Sequence, residues 1–276
     1  MASPTLTNPR AERVSSVRRL ATRAWRHKQR RFLVEGAQSV REAVAGAAQG
    51  DVVVREVFVT QEAVVRQAEL VSSAAAAGIP VHTASEQVLA AVSETVSPQG
   101  IVAVCDFLDQ PLATLLASSP SLVALLAAVR DPGNAGSVLR AADAAGADAV
   151  VFSTGSVDPY NGKVVRASVG GLFHVPVATE VSVVEAIERL RQAGLSVLAA
   201  DGAGKLDLDQ AERVGMLAGP TAWLFGNEAW GLPLELREAA DDVVRIPIYG
   251  RADSLNLATA AALCLYASAR AQRSSG

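Results

Sequence analysis

Aromatic residues are scarce in this 276-residue chain: Phe, Tyr and Trp together make up 4%. Half of the residues are nevertheless hydrophobic, so the core must be built from small aliphatics, mostly alanine and valine. Cysteine is almost absent. Cys105 and Cys264 cannot form a framework of several disulfides, and both lie in apolar stretches, as buried free thiols do. The three histidines are far apart and no Cys–His cluster exists, so no metal is expected. Mean hydropathy is high at +0.25. Yet no apolar run approaches the roughly 20 residues of a membrane span; Leu122 to Val129 is typical. The N-terminal stretch MASPTLTNPR lacks the apolar core of a secretion signal. A soluble, cytoplasmic protein with no membrane partner is expected. The length suggests about two domains.

The formal charge of −3 hides an asymmetry. Residues 1–31 hold nine Lys/Arg and one acid, whereas the remaining 245 residues hold 16 bases and 27 acids. A basic segment on an acidic body is a nucleic-acid signature, and each neutralised phosphate releases counterions. Arg18, Arg19, Arg23, Arg26, Lys28, Arg30 and Arg31 are the candidate RNA contacts. Trp25 and His27 lie inside the run, where they are candidates for stacking on an exposed base. A solvated amphipathic helix with a basic face would have the same composition.

Strands alternate with helical stretches along the rest of the chain, which implies an α/β protein with largely parallel sheets. The expected organisation is a basic arm over 1–30, a smaller α/β domain over 31–108, a linker over 109–120 and a larger α/β domain over 121–276. The linker carries Pro111, Pro120, Ser118 and Ser119. Three loops in the larger domain stand at the ends of predicted strands, the edge where open α/β sheets bind ligands. The first runs from Asp131 to Arg140, the second from Leu224 to Leu232 and the third from Ile246 to Leu257. Each combines glycine with an Asn that can both donate and accept. Asn134 and Ser254, taken alone, would read as helix N-caps, and Arg140 as an ion-pair partner of Asp143. Asp201-Gly202-Ala203-Gly204-Lys205 follows a strand but lacks the further glycine or Lys-Ser/Thr of a phosphate loop, so it reads as a turn.

The three loops resemble the three motifs of the SpoU, or TrmH, branch of the SPOUT RNA methyltransferases, in order and in spacing. The first is Asn-x-Gly with Arg six residues after the Asn. The second is Gly-Asn-Glu-x-x-Gly, and the third is Ile-Pro-Ile-x-Gly-x-x-x-Ser-Leu-Asn. The start of the smaller domain, Phe-Leu-Val-Glu-Gly at 32–36, resembles more loosely the substrate-binding domain of many members, whose fold is like ribosomal protein L30e. Asp158 to Pro176 is similar to the family's ribosomal RNA enzymes.

The resemblance implies a C-terminal trefoil-knotted domain, a homodimer, and transfer of a methyl group from S-adenosylmethionine to a ribose 2′-hydroxyl. It favours ribosomal over transfer RNA, 23S in particular. It implies cofactor contacts at Leu224, Gly226, Ile246, Leu255 and Ala260, with chemistry at Arg140, Asn134, Glu228, Ser254 and Asn256. A 2′-hydroxyl is a poor nucleophile at neutral pH, so some group must take its proton or stabilise the alkoxide. The family's Arg corresponds to Arg140. A guanidinium is effectively always charged, which suits alkoxide stabilisation or a bidentate grip on phosphate; direct proton removal is the other role open to it. A non-catalytic RNA-binding protein of the same fold is a third reading, and the intact motif residues weigh against it. A dinucleotide-dependent oxidoreductase would need Gly-x-Gly-x-x-Gly after its first strand, and that pattern is absent.

Overall fold

The computed structural model describes residues 5–274 and divides the chain into two compact units. One comprises 1–108 together with 160–173, the other 109–159 together with 174–276.

The first unit opens with helices α1 (Glu12–Arg19) and α2 (Arg23–Gln29). Strand β1 (Arg31–Glu35), α3 (Ala37–Gln49), β2 (Val54–Thr60), α4 (Gln61–Arg66), α5 (Ala68–Ala76), β3 (Val81–Ala84), α6 (Glu86–Val92) and β4 (Ile101–Asp106) follow. The sheet order is β1-β4-β2-β3. The alternating pattern predicts parallel pairing here, but β4 runs antiparallel to both β1 and β2, and only β2 and β3 are parallel. The pattern of apolar residues fixes which segments are strands but not the direction of a neighbour inserted from 40 residues away.

The basic N-terminal segment is not a free arm. Val14, Val17 and Leu20 sit at helical spacing and are buried in one cluster with Leu33, Phe58 and Val88. The alternative of an amphipathic helix with a basic face describes it better.

The second unit contains α7 (Leu112–Ala117), β5 (Leu122–Leu126), α8 (Pro132–Ala145), β6 (Ala149–Ser153), β7 (Val177–Val181), α10 (Val183–Gln192) and β8 (Ser196–Ala200). It continues with β9 (Leu206–Asp207), α11 (Leu208–Arg213), β10 (Thr221–Phe225), α12 (Leu234–Ala239), β11 (Asp242–Arg245) and α13 (Leu257–Ser274). Its seven strands are all parallel, in the order β7-β6-β5-β10-β8-β11-β9. Strands buried on both faces need continuous apolar runs, and LVALL, AVVFS and TAWLF supply them. The expected linker is part of this unit, because Leu112 and Leu115 of α7 are buried in its core.

Helix α9 (Gly162–Ser168) lies in sequence between strands of the second unit but packs in the first. The Tyr160 ring stacks on Phe107 at 3.8 Å and meets Phe32 at 4.8 Å, and its hydroxyl accepts the Leu108 N–H at 2.8 Å. Arg166 donates to the buried Glu35 carboxylate at 3.2 Å, which also accepts from the Glu94 N–H and the Thr95 hydroxyl. Three of the chain's few aromatics are therefore concentrated where residues 160–173 dock. Among the described residues no helix is long and apolar enough to cross a membrane.

Helix α13 is pinned to the sheet by a buried polar contact. The Trp223 indole N–H on β10 donates to the Ser268 hydroxyl at 2.9 Å, and both residues are fully buried. Ser268→Ala leaves that N–H without a partner, so it should cost about 1–3 kcal/mol in chemical denaturation. Trp223→Phe combined with Ser268→Ala should cost less than the sum of the two single changes, because the pair is shared. A strictly additive double variant would contradict the coupling.

Candidate active site

Because the strands of the second unit are parallel, the loops after β5, β8, β10 and β11 emerge at one edge of the sheet. Together with the start of α13 they line a single cavity of about 550 Å³, within the range of small-molecule sites.

The loop after β5 ends at a well-defined helix start. The Asp131 side chain caps α8 by accepting the Asn134 N–H at 2.8 Å, and Pro132 occupies the first turn, where no N–H is needed. Asn134 is therefore not the cap, and its amide is free to act elsewhere. The loop after β10 is a closed turn: Asn227 N–H donates to the Gly231 carbonyl at 3.0 Å, and Gly231 N–H to the Asn227 carbonyl at 2.9 Å. Its crossing leaves no room at Gly226, where a Cβ would fall 2.5 Å from the Gly231 carbonyl and 2.7 Å from the Leu232 nitrogen. The Asn227 amide ties this loop to the first one by donating to the Ala128 carbonyl at 2.7 Å.

Glu228, Asn134 and Asn256 form a relay across three loops. The Glu228 carboxylate accepts the Arg130 N–H at 3.2 Å, the Asp131 N–H at 3.1 Å and the Asn134 amide at 3.2 Å. The Asn134 carbonyl oxygen accepts from the Asn256 amide at 2.8 Å. The Asn256 oxygen in turn accepts the N–H groups of Ala258 and Thr259, at 2.9 and 3.3 Å, and so caps α13. A carboxylate only accepts and helical N–H groups only donate, so both ends fix the direction of both amides. The helix begins at Leu257, three residues later than Ser254, and its cap is Asn256.

Most, but not all, of the sequence candidates meet here. Asn134, Glu228, Ser254 and Asn256 line the cavity, as do Gly226, Ile246, Leu255 and Ala260. Leu224 does not: its side chain belongs to the apolar core behind β10, since strand residues alternate between faces. Arg140 does not line it either. It lies six residues beyond Asn134 on α8, on a different face of the helix, and is exposed. It makes no ion pair with Asp143, whose carboxylate contacts His174 Nδ1 at 3.0 Å.

In the first unit Arg18, Arg19, Arg23, Lys28 and Arg30 are exposed. Arg26 is buried, donating to the carbonyls of Leu20 and Ala21 at 3.0 and 2.8 Å, so it holds the turn between α1 and α2. Arg31 pairs with Asp106 at 3.3 Å. The Trp25 ring is contacted by Arg19 and Lys28, at 5.1 and 5.2 Å, and packs against the core, so it is not an open stacking surface.

Sequence reasoning missed Asp201 and Gly202, which line the cavity. The turn expected at 201–205 is present, but its place after β8 puts it at the same edge as the three motifs. The strand preceding it was the available signal. Asn227, the Asn of the second loop, lines the cavity as well, although the resemblance implies no role for it.

A ligand's character follows from the lining. Asp201, Glu228 and Asp253 contribute three carboxylates, and no Lys, Arg or His joins them. Asp201 is paired with Arg237 at 3.5 Å. Ile246, Ile248, Leu255, Leu257 and Ala260 form an apolar wall. The peptide groups of 248–255 make no main-chain hydrogen bond within the described residues, so they are available to a ligand. S-adenosylmethionine, with a flat purine, a sulfonium and an ammonium, fits such a site.

Fold and cavity together define an α/β enzyme that binds a small cationic ligand at the C-terminal edge of a parallel sheet. The SpoU rRNA Methylase family model matches residues 121–266, and an MRM3-like substrate binding domain matches 11–103. The 23S rRNA (guanosine(2553)-2′-O)-methyltransferase RlmP of Bacillus subtilis (strain 168) is 35% identical over 258 residues, 92% of this chain and 95% of the relative. The 23S rRNA (guanosine-2′-O-)-methyltransferase RlmB of Ralstonia nicotianae is 33% identical over 213 residues, 76% of this chain and 84% of the relative. The AdoMet-bound rRNA methyltransferase from Sinorhizobium meliloti superposes with a TM-score of 0.80 at 31% identity, covering 96% of this chain and 97% of that one. The chain belongs to the SpoU rRNA methylase family.

The relay yields a direct test. Asn256→Asp keeps an oxygen for the α13 cap but sets a carboxylate against the Asn134 oxygen; rotating Asn134 only moves the clash to Glu228. Methyl transfer should fall at least about tenfold while stability stays within about 0.5 kcal/mol of the parent. Asn256→Ala should lose both activity and about 0.5–2 kcal/mol of stability. Full activity in Asn256→Asp would remove the relay from catalysis.

Proposed function

We propose that this protein transfers a methyl group from S-adenosylmethionine to a ribose 2′-hydroxyl of 23S ribosomal RNA. The observation that carries the proposal is the joining of all three motif loops by the Glu228–Asn134–Asn256 relay at one cavity. The names of the RlmP and RlmB relatives support ribosomal RNA as the substrate.

When bound, S-adenosylmethionine supplies an electrophilic methyl on a sulfonium that becomes neutral on transfer. The chain's own residues do the rest. The 248–255 main chain and Gly226 would hold the donor, and the apolar residues from Ile246 to Ala260 would receive its purine. Asn134, with its amide direction fixed, orients the ribose; Ser254 lies on the same lining and offers a hydroxyl to the ribose or to the donor's methionyl end. Arg140 stays a cation that grips the neighbouring phosphate and stabilises the 2′-oxygen, whose proton passes to solvent as the methyl is transferred.

We further propose a homodimer with the site at the subunit interface. Arg140 lies outside the cavity lining of a single chain, and α13 leaves Leu263 and Tyr266 44% and 49% exposed. The same reading carries a trefoil knot through the third loop and α13, and a cytoplasmic location.

Arg140→Ala should lower methyl transfer by at least about 100-fold and leave donor affinity within about twofold. Calorimetry with S-adenosylmethionine measures the second. Mapping 2′-O-methylated positions of ribosomal RNA from cells with the parent gene, with Arg140→Ala and without the gene measures the first in its natural setting. An unchanged map would reject the function, and an active Arg140→Ala variant would reject the role.

A further inference from the structure

The second motif loop carries a residue that neither the core nor the donor cavity uses. Trp230 is 54% exposed, in a chain with only three tryptophans. Trp223 is fully buried and Trp25 is packed under two cations. Leaving an indole in water forfeits the apolar burial that such a ring normally gains.

Nor is Trp230 on a loose tip. It sits in the turn closed by the two Asn227–Gly231 main-chain bonds and by the Asn227 oxygen accepting the Ala229 N–H at 2.8 Å. Its neighbours Ala229 and Gly231 both line the cavity, so the ring stands at the cavity's rim. The Arg130 guanidinium lies 5.0 Å from its ring centroid. The Arg130 main chain is tied to the site by its N–H bond to Glu228, which keeps the base of its side chain beside the turn. The result is a rigidly mounted indole beside a cation, at the mouth of a site whose own charged groups are all acidic.

We propose that Trp230 and Arg130 form a nucleotide-docking platform for the RNA substrate. The indole stacks on the base of the target nucleotide or its immediate neighbour, and the guanidinium takes the adjoining phosphate. Stacking on an aromatic ring is tolerant of base identity, and a single strand presents both the base face and the phosphate. The proposal rests on the RNA methylation proposed above and adds a residue that holds the nucleotide at the rim.

The experiment uses the full-length protein. A short single-stranded oligoribonucleotide of mixed sequence is titrated against it without donor, and tryptophan fluorescence is followed. Quenching is expected in the parent and should be absent in Trp230→Leu, while Trp230→Phe should keep most of the affinity. With 23S rRNA transcribed in vitro, Trp230→Leu should raise KM by about 5- to 100-fold, the range stacking supplies. Donor affinity should stay within about twofold, which certifies the fold. Arg130→Ala should lower the slope of log affinity against log salt by about 0.7, the value for one phosphate on a single strand.

Quenching that survives in Trp230→Leu, or an unchanged KM, overturns the proposal while methylation continues. A Trp230→Leu variant that changes mass in solution and shows no loss of RNA affinity assigns the ring to a subunit contact and overturns it equally. Failure of the parent protein to label any RNA strikes instead at the methyltransfer reading.

Discussion

One carboxylate organises the catalytic edge of the second unit. Glu228 receives N–H groups from Arg130, Asp131 and Asn134, and it can accept but never donate. That asymmetry propagates: Asn134 must turn its oxygen toward Asn256, and Asn256 must turn its own oxygen toward the first N–H groups of α13. Three loops that are up to 122 residues apart in sequence thereby share one hydrogen-bond direction. The network is exposed to solvent, so each bond adds little to stability. Its consequence is orientation: the first turn of α8, the β10 loop and the start of α13 cannot be moved independently.

Rigidity is distributed unevenly around the cavity. The side formed by the loops after β5 and β10 is overdetermined. Ala128 is held in the left-handed region at φ +52°, with its N–H donated to Ser153 and its carbonyl taken by Asn227. Gly226 has no space for a side chain. The stretch 248–255, by contrast, makes no main-chain hydrogen bond among the described residues. A tightly tied loop pair beside a stretch of unpaired peptide groups is the arrangement that the proposed reaction requires, with the acceptor held in place and the donor taken largely by backbone.

Much of this was legible because the signals are local. Strands such as TAWLF declare themselves by a continuous apolar run, and a parallel sheet then puts every following loop at one edge. Asn134, Glu228, Ser254 and Asn256 were named through the family resemblance that their motifs carry, and the structure brings all four to one cavity lining. What escaped depends on contacts between distant residues. The burial of Arg26 reflects two carbonyls left open by the turn after α1, which no composition reveals. The capture of 160–173 by the first unit follows from Tyr160 meeting Phe107 and Phe32, three aromatics that are unremarkable one by one. Leu224 is absent from the cavity lining because alternation along β10 turns its side chain into the core. Asp201 escaped because its turn was weighed only as a phosphate loop, when its position at the end of β8 was the better guide.

The placement of charge explains why the site is divided. A cavity lined by Asp201, Glu228 and Asp253 attracts a cation and repels a phosphodiester. The carboxylates therefore suit the cationic donor, and the neutral Asn134 and Ser254 of the same lining are left to meet a ribose. The acidic interior suits the donor, and the cations for the RNA must stand outside it, where Arg130 and Arg140 are found and where the exposed bases of α1 and α2 belong to a separate unit. Placing Arg140 outside the lining is thus consistent with its proposed role. A guanidinium inside would compete with the sulfonium for the same carboxylates. On transfer the positive charge of the sulfonium and the negative charge on the deprotonated oxygen cancel, so the acidic lining needs to hold a cation only until the methyl has moved.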